Sequence, residues 1–232
     1  MHARTILAAA ALLTAVRLPD AASARRAAFT DEFAIERCTF ATTGRNPYFI
    51  LVPGHRLELE GEEKGTVTHL TITVLADTLT VDGVQTRVVE ERETEDGELV
   101  EVSRNYFAHC PENGSVFYFG EDVDNYENGV VDNHDGSWRA GVDGARAGVI
   151  MPGLNLVGAR YFQEIAPDLA LDRAETVSVT ETLSTPAGDF VDVLKTRETT
   201  PLERGVKEFK YYAPGVGLIR DEHLDLVEVL EP

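Results

Sequence analysis

The chain has 232 residues, 43% of them hydrophobic, with 40 acidic against 21 basic side chains and a formal charge of −19. That apolar content is enough to build a core, which excludes a disordered chain. The acidic excess repels phosphate backbones and excludes nucleic acid as a partner, leaving cations, neutral ligands or basic proteins.

Residues 1–24 read as a cleavable signal peptide. Arg4 gives a basic start, residues 5–16 are apolar, and Ala22-Ser23-Ala24 is a small-residue cleavage pattern. An apolar run of 12 residues is short of the roughly 20 that cross a bilayer. The expected product is secreted or periplasmic, with no membrane span. Residues 25–52 follow as an N-terminal arm, with a short helix expected near residues 29–37. Outside the cytosol Cys38 and Cys110 are free to oxidise, the alternative being two buried thiols. A disulfide would close a loop of about 73 residues and pin the arm to the rest of the chain. Neither cysteine has a partner spaced for zinc or dithiol chemistry.

Residues 53–232 read as one antiparallel β domain. Asp82-Gly83, Asp96-Gly97, Asn113-Gly114 and Asn128-Gly129 are dipeptides that tolerate positive φ at both centres of a type I′ turn. They recur 14, 17 and 15 residues apart, so strands of about 10–14 residues would run up and down between them. Residues 69–81, 84–94 and 98–110 are accordingly rich in β-branched and aromatic side chains. Two-residue turns set Glu95 opposite Glu98, Arg92 opposite Glu101 and His109 opposite Tyr118. Further hairpins are expected across Thr185-Pro186-Ala187-Gly188 and across residues 213–217. The sum is an all-β, up-and-down meander of about 8–10 strands, closed as a barrel or half-barrel because long open edges invite aggregation. Acidic and basic side chains along the strands, Glu91, Arg92, Glu93 and Glu101 among them, read as a solvated outer face and argue against a lipid-facing barrel.

Two segments interrupt this pattern. Residues 136–158 hold six glycines with Trp138 and Met151, long enough to act as a flap over the barrel mouth or as a plug in it. As a flap, Trp138 and Met151 would contact ligand, and Arg139 or Arg146 would hold a carboxylate. The second segment, residues 121–135, partly imitates a calcium loop but has Tyr126 where a short oxygen ligand belongs. A hairpin about Asn128-Gly129 would instead gather Asp122, Asp124, Asn133 and Asp135 on one face. Calcium is the cofactor those oxygens suit, with an unliganded acidic turn as the alternative. No G-x-S-x-G, H-E-x-x-H, Walker or dinucleotide motif is present, so no catalytic residue is assigned.

The stretches at residues 117–122 (FYFGED), 136–145 (GSWRAGVDGA), 150–153 (IMPG) and 210–218 (KYYAPGVGL) resemble a set of exported bacterial β-rich proteins that carry no assigned activity. The resemblance spans most of residues 46–227. It implies export and a β fold, and no reaction. Function is therefore expected to be binding of a small molecule, with calcium as a candidate aid. An extracytoplasmic hydrolase with its site in the barrel mouth, and a structural envelope protein that binds other proteins, are the alternatives.

Overall fold

The turns dictate the strand lengths in the computed structural model, which describes residues 28–232. The expected signal peptide lies outside the described residues. Asp82, Asp96 and Asn128 and the glycine after each have positive φ, as a type I′ turn requires. Lys64-Gly65 makes the same turn, although lysine is a poor signal for it. Between these turns run β3 (Arg56–Glu63), β4 (Thr66–Val81), β5 (Val84–Glu95), β6 (Glu98–Cys110) and β7 (Ser115–Glu127). A second meander follows as β13 (Arg173–Thr185), β14 (Gly188–Thr199), β15 (Glu208–Ala213), β16 (Gly217–Asp221) and β17 (Leu224–Leu230).

The two meanders join edge to edge, because β17 pairs with β3 and sets Leu226 opposite Leu59. Short strands complete the wall. From the glycine-rich segment come β9 (Trp138–Arg139), paired with β7, and β10 (Arg146–Met151), paired with β7 on one side. Next come β11 (Arg160–Phe162), paired with β13, and β12 (Glu164–Ile165), paired with β10. The continuous path therefore has 13 antiparallel strands, and its two edges, β11 and β12, are consecutive in the chain. One residue, Gln163, crosses the seam, and its N–H donates to Asp172 O at 2.7 Å. Gly148 makes that crossing possible: a Cβ there would stand 2.3 Å from Gln163 O. β8 (Val130–Asn133) is a spur on the end of β7.

The glycine-rich segment thus contributes strands to the wall and is not irregular throughout. The plug comes from the arm. β1 (Gly44–Asn46) and β2 (Phe49–Leu51) form a small hairpin across one end of the barrel. Asn46, 1% exposed, donates from Nδ2 to Gly114 O at 2.8 Å and Pro152 O at 2.9 Å and accepts from Tyr48 N. Gly215 N donates to Pro47 O, and Phe49 packs edge-on against Phe107. Ahead of the hairpin the arm lies on the outer wall, with Phe33 and Phe40 edge-on to Phe117 and Phe40 also to Phe119. Cys38 and Cys110 are joined by a disulfide, Cα atoms 5.2 Å apart. The expected helix near residues 29–37 is a single 3-10 turn, Ile35–Arg37, preceded by Ala34 in the left-handed region, which an α-helix cannot include.

Bulges move several expected pairs. One between Glu93 and Thr94 sets Arg92 opposite Val102 and Glu93 opposite Glu101. The turn after β6 spans Pro111 to Gly114, so His109 faces Val116 and not Tyr118. Proline cannot donate to the ladder, which opens the turn there.

Candidate functional site

Strand alternation decides what enters the barrel. Leu57 and Leu59 on β3, Leu70 and Val74 on β4, and Val89 on β5 are buried, and the residues two places further along a strand share their face. On β5 that puts Glu91 and Glu93 on the face of Val89, and the bulge brings Glu101 to the same side. These carboxylates, read from the sequence as solvated and outward, point inward. Glu91 interacts with Lys210 on β15 and Asp221 on β16, strands separated from β5 by β4, β3 and β17. Only the lumen connects them.

The interior has an apolar end and a polar end. Next to the β1–β2 cap lies a cavity of about 100 Å³ with Phe49, Leu57, Ile72, Val89, Phe107 and Leu218 in its walls. Glu91, Lys210 and Asp221 line it as well, and so does His55. Lys210 Nζ is 3.1 Å from Asp221 Oδ2 and 3.6 Å from Glu198 Oε2. Burial alone would lower the Lys210 pKa, but the two acids raise it well above the ordinary lysine value, so the side chain stays charged. Glu91 is raised to about 7 by burial, with Lys210 pulling it down and Asp221, Glu101 and Glu93 pushing it up. His55 is 3% exposed. Its Nε2 donates to Val216 O at 2.9 Å, since a carbonyl only accepts, and its Nδ1 has no partner among the described residues.

The polar end surrounds the seam. Glu121 is raised to about 7, mainly by burial, while the Tyr118 hydroxyl favours its charged form. Glu164 is buried and raised well above the usual carboxyl range, with Glu121, Asp172 and Glu198 adding to the cost of its charge. Glu198 is raised by burial against the pull of Lys210 and Gln163, and Gln163 Nε2 donates to its Oε1 at 3.0 Å. Buried polar atoms without partners among the described residues gather here: Tyr161 Oη, Gln163 Oε1, Glu164 Oε2 and Thr176 Oγ1. Trp138 Nε1 forms no aligned hydrogen bond, yet stands close enough to Glu164 to favour its ionised form.

The ligand residues expected from the sequence sit elsewhere in the wall. Trp138 is buried edge-on against Tyr118, and Met151 is 1% exposed in the core; neither lines the cavity. Arg139 faces outward, stacks over Tyr106 at 4.5 Å and pairs with Asp122. Arg146 reaches Asp31 and Asp31 O, fastening the arm.

A bulge between Asn125 and Tyr126 sets Asn125 opposite Asn133 in place of Asp124, so the cross-strand pairing expected of the four calcium candidates does not form. Asp122 accepts from Tyr106 Oη at 2.7 Å and from Arg139. Asp124 is 3.1 Å from Arg104 Nη1 and 2.9 Å from His134 Nδ1. Asn133 Oδ1 accepts from Asn125 Nδ2 and from the Asp135 N–H. Among the described residues, the sole group of three acidic, histidine or cysteine ligands with atoms within 4.8 Å is Cys38, Cys110 and Glu112, where the sulfurs are already bonded to each other.

Glu91, Glu121, Glu198, Lys210 and His55 are not among the site residues expected from the sequence. A signal for two of them was present: Glu91 shares its strand face with Val89, and Lys210 shares that of Tyr212. Comparisons with protein families, with curated proteins and with solved structures find no match for this chain.

Proposed function

We propose that the chain is an exported binding protein that holds a small organic molecule inside its barrel. The observation that carries this reading is the cavity walled by Ile72, Val89 and Phe107 and ending on Glu91, Lys210 and Asp221. An apolar body with a few convergent polar groups is the general form of a small-molecule site. Export is supported by the leader pattern of residues 1–24, by the disulfide, and by the resemblance to exported β-rich proteins. The outer wall carries ion pairs such as Arg104 with Glu90 and Arg197 with Glu175, which are costly against lipid. Among the described residues no helix is long and apolar enough to cross a membrane.

The test uses 1-aminoanthracene, a neutral apolar probe that brightens out of water. Wild type is expected to bind it with saturable fluorescence, and Ile72→Trp, which fills the cavity, to lose affinity by about tenfold, or 1.4 kcal/mol. Equal binding by both proteins would overturn the reading. A hydrolase is the second reading, favoured by Glu91 and Glu121 standing near 7, where a general acid works best at neutral pH. Turnover of ester or glycoside substrates, abolished in Glu91→Gln, would establish it.

A further inference from the structure

The polarity of the cavity's charged end is lopsided. Glu91, Asp221 and the neighbouring Glu198 face one cation, Lys210, and that cation is already held by Asp221 and Glu198 at 3.1 and 3.6 Å. Among the described residues Glu91 has no hydrogen-bonded or ion-pair partner, although Lys210 attracts it through the lumen. His55 Nε2 is engaged with Val216 O at 2.9 Å, and its Nδ1 is buried and has no partner among the described residues. Both residues line the same cavity as Phe49, Phe107 and Tyr212.

An occupant that leaves Glu91 unmet loses the hydrogen bonds water would have given it, which disfavours a purely apolar guest. A carboxylate head would meet acids at close range with its natural partner, Lys210, already neutralised. A divalent metal is poorly served, since no three lumen carboxylates among the described residues bring oxygens within 4.8 Å of one another, whereas calcium draws on six or more oxygens at about 2.4 Å. An organic ammonium has up to three N–H donors on a bulkier frame, and an attached apolar body fits the aromatic wall.

We infer that the ligand is a small primary amine with an aromatic or aliphatic body, its ammonium donating to Glu91 and its body filling the cavity beneath the β1–β2 cap. The inference rests on the lumen being the binding site, as proposed above. It also assigns Glu91 a role that accounts for a carboxylate placed in the wall with no protein counter-ion bonded to it.

The experiment displaces 1-aminoanthracene from the full chain with three compounds of one shape: benzylamine, benzyl alcohol and benzoate. Benzylamine is expected to compete about tenfold better than benzyl alcohol, because charge-assisted hydrogen bonds are roughly twice as strong as neutral ones, and benzoate worst. Glu91→Gln, which keeps shape and removes charge, is expected to bring amine and alcohol to within about twofold of each other. Probe displaced equally by the amine and the alcohol, or best by benzoate, would overturn the amine assignment and leave the lumen site standing. Failure of wild type to bind the probe or any of the three compounds would overturn both. The comparison is made on wild type itself, so an unstable Glu91→Gln does not remove the decision.

Discussion

Replacing Cys38 and Cys110 together by alanine is expected to destabilise the protein by about 4 kcal/mol, the loop-entropy value for a bridge between residues so far apart. Their sequence separation is 72. For a chain of this size that is a fall in midpoint on the order of 10 °C. The bridge holds more than an unfolded-state constraint. It anchors the arm just before the β1–β2 hairpin, so its loss loosens the cap over the cavity. The arm keeps other attachments: Phe33 and Phe40 on Phe117, and Arg146 on Asp31. The variant is therefore expected to fold, with faster amide exchange in residues 28–51 than in β4 to β7. A calorimetric midpoint unmoved in the variant, with reduced wild type likewise unchanged, would mean that the arm is held without the bridge.

The second large effect is a stability that falls as pH rises toward neutrality. Glu91 and Glu121 each go from an ordinary 4.5 to about 7 in the folded chain, both chiefly through burial. Glu164, Glu198, Glu93 and Glu101 are raised in the same way. A carboxyl with a raised folded pKa binds its proton more tightly when folded. Its contribution is full below pH 4.5 and disappears as pH climbs through about 7. A tenfold gain in proton affinity is worth about 1.4 kcal/mol, so Glu91 and Glu121 each stand for roughly 3 kcal/mol across that window. The chain's net negative charge grows over the same range and adds repulsion of the same sign. Glu63 and Glu112, both lowered, act in the opposite direction, but they do so below pH 4.5. Urea midpoints between pH 5.5 and 8 are expected to decline for wild type and to flatten in Glu91→Gln with Glu121→Gln. A wild-type midpoint that rises over this range would contradict inward-facing carboxylates.

The outline of the fold was legible in the sequence because its turns are chemically explicit. Asp82-Gly83, Asp96-Gly97 and Asn128-Gly129 each close a hairpin where their φ tolerance said they would. What lies inside was harder to read. A single bulge beside Glu93 turns Glu101 from an outward partner of Arg92 into an inward neighbour of Glu93, and bulges leave little trace in composition. The closing partners were hidden for another reason. β17 meets β3, and the seam at Gln163 is completed by strands of two and three residues, too short to show a period. The glycine-rich segment was visible as unusual, but its neighbours show what glycine does in this wall: at Gly120 a Cβ would stand 2.4 Å from Trp138 O. The arm's two strands have three residues each, too short for alternation to show, yet they supply the cap.

We propose that the interior, and not an exposed apolar surface, receives the ligand. Methyl-resolved NMR during titration with 1-aminoanthracene tests it most directly. The expected result is shift changes at Leu57, Ile72, Val74, Val89 and Leu218, which line the cavity, with Val130, Leu154, Leu156 and Val191 on the surface unmoved. Changes confined to those surface methyls, with the cavity methyls silent at saturation, would contradict it.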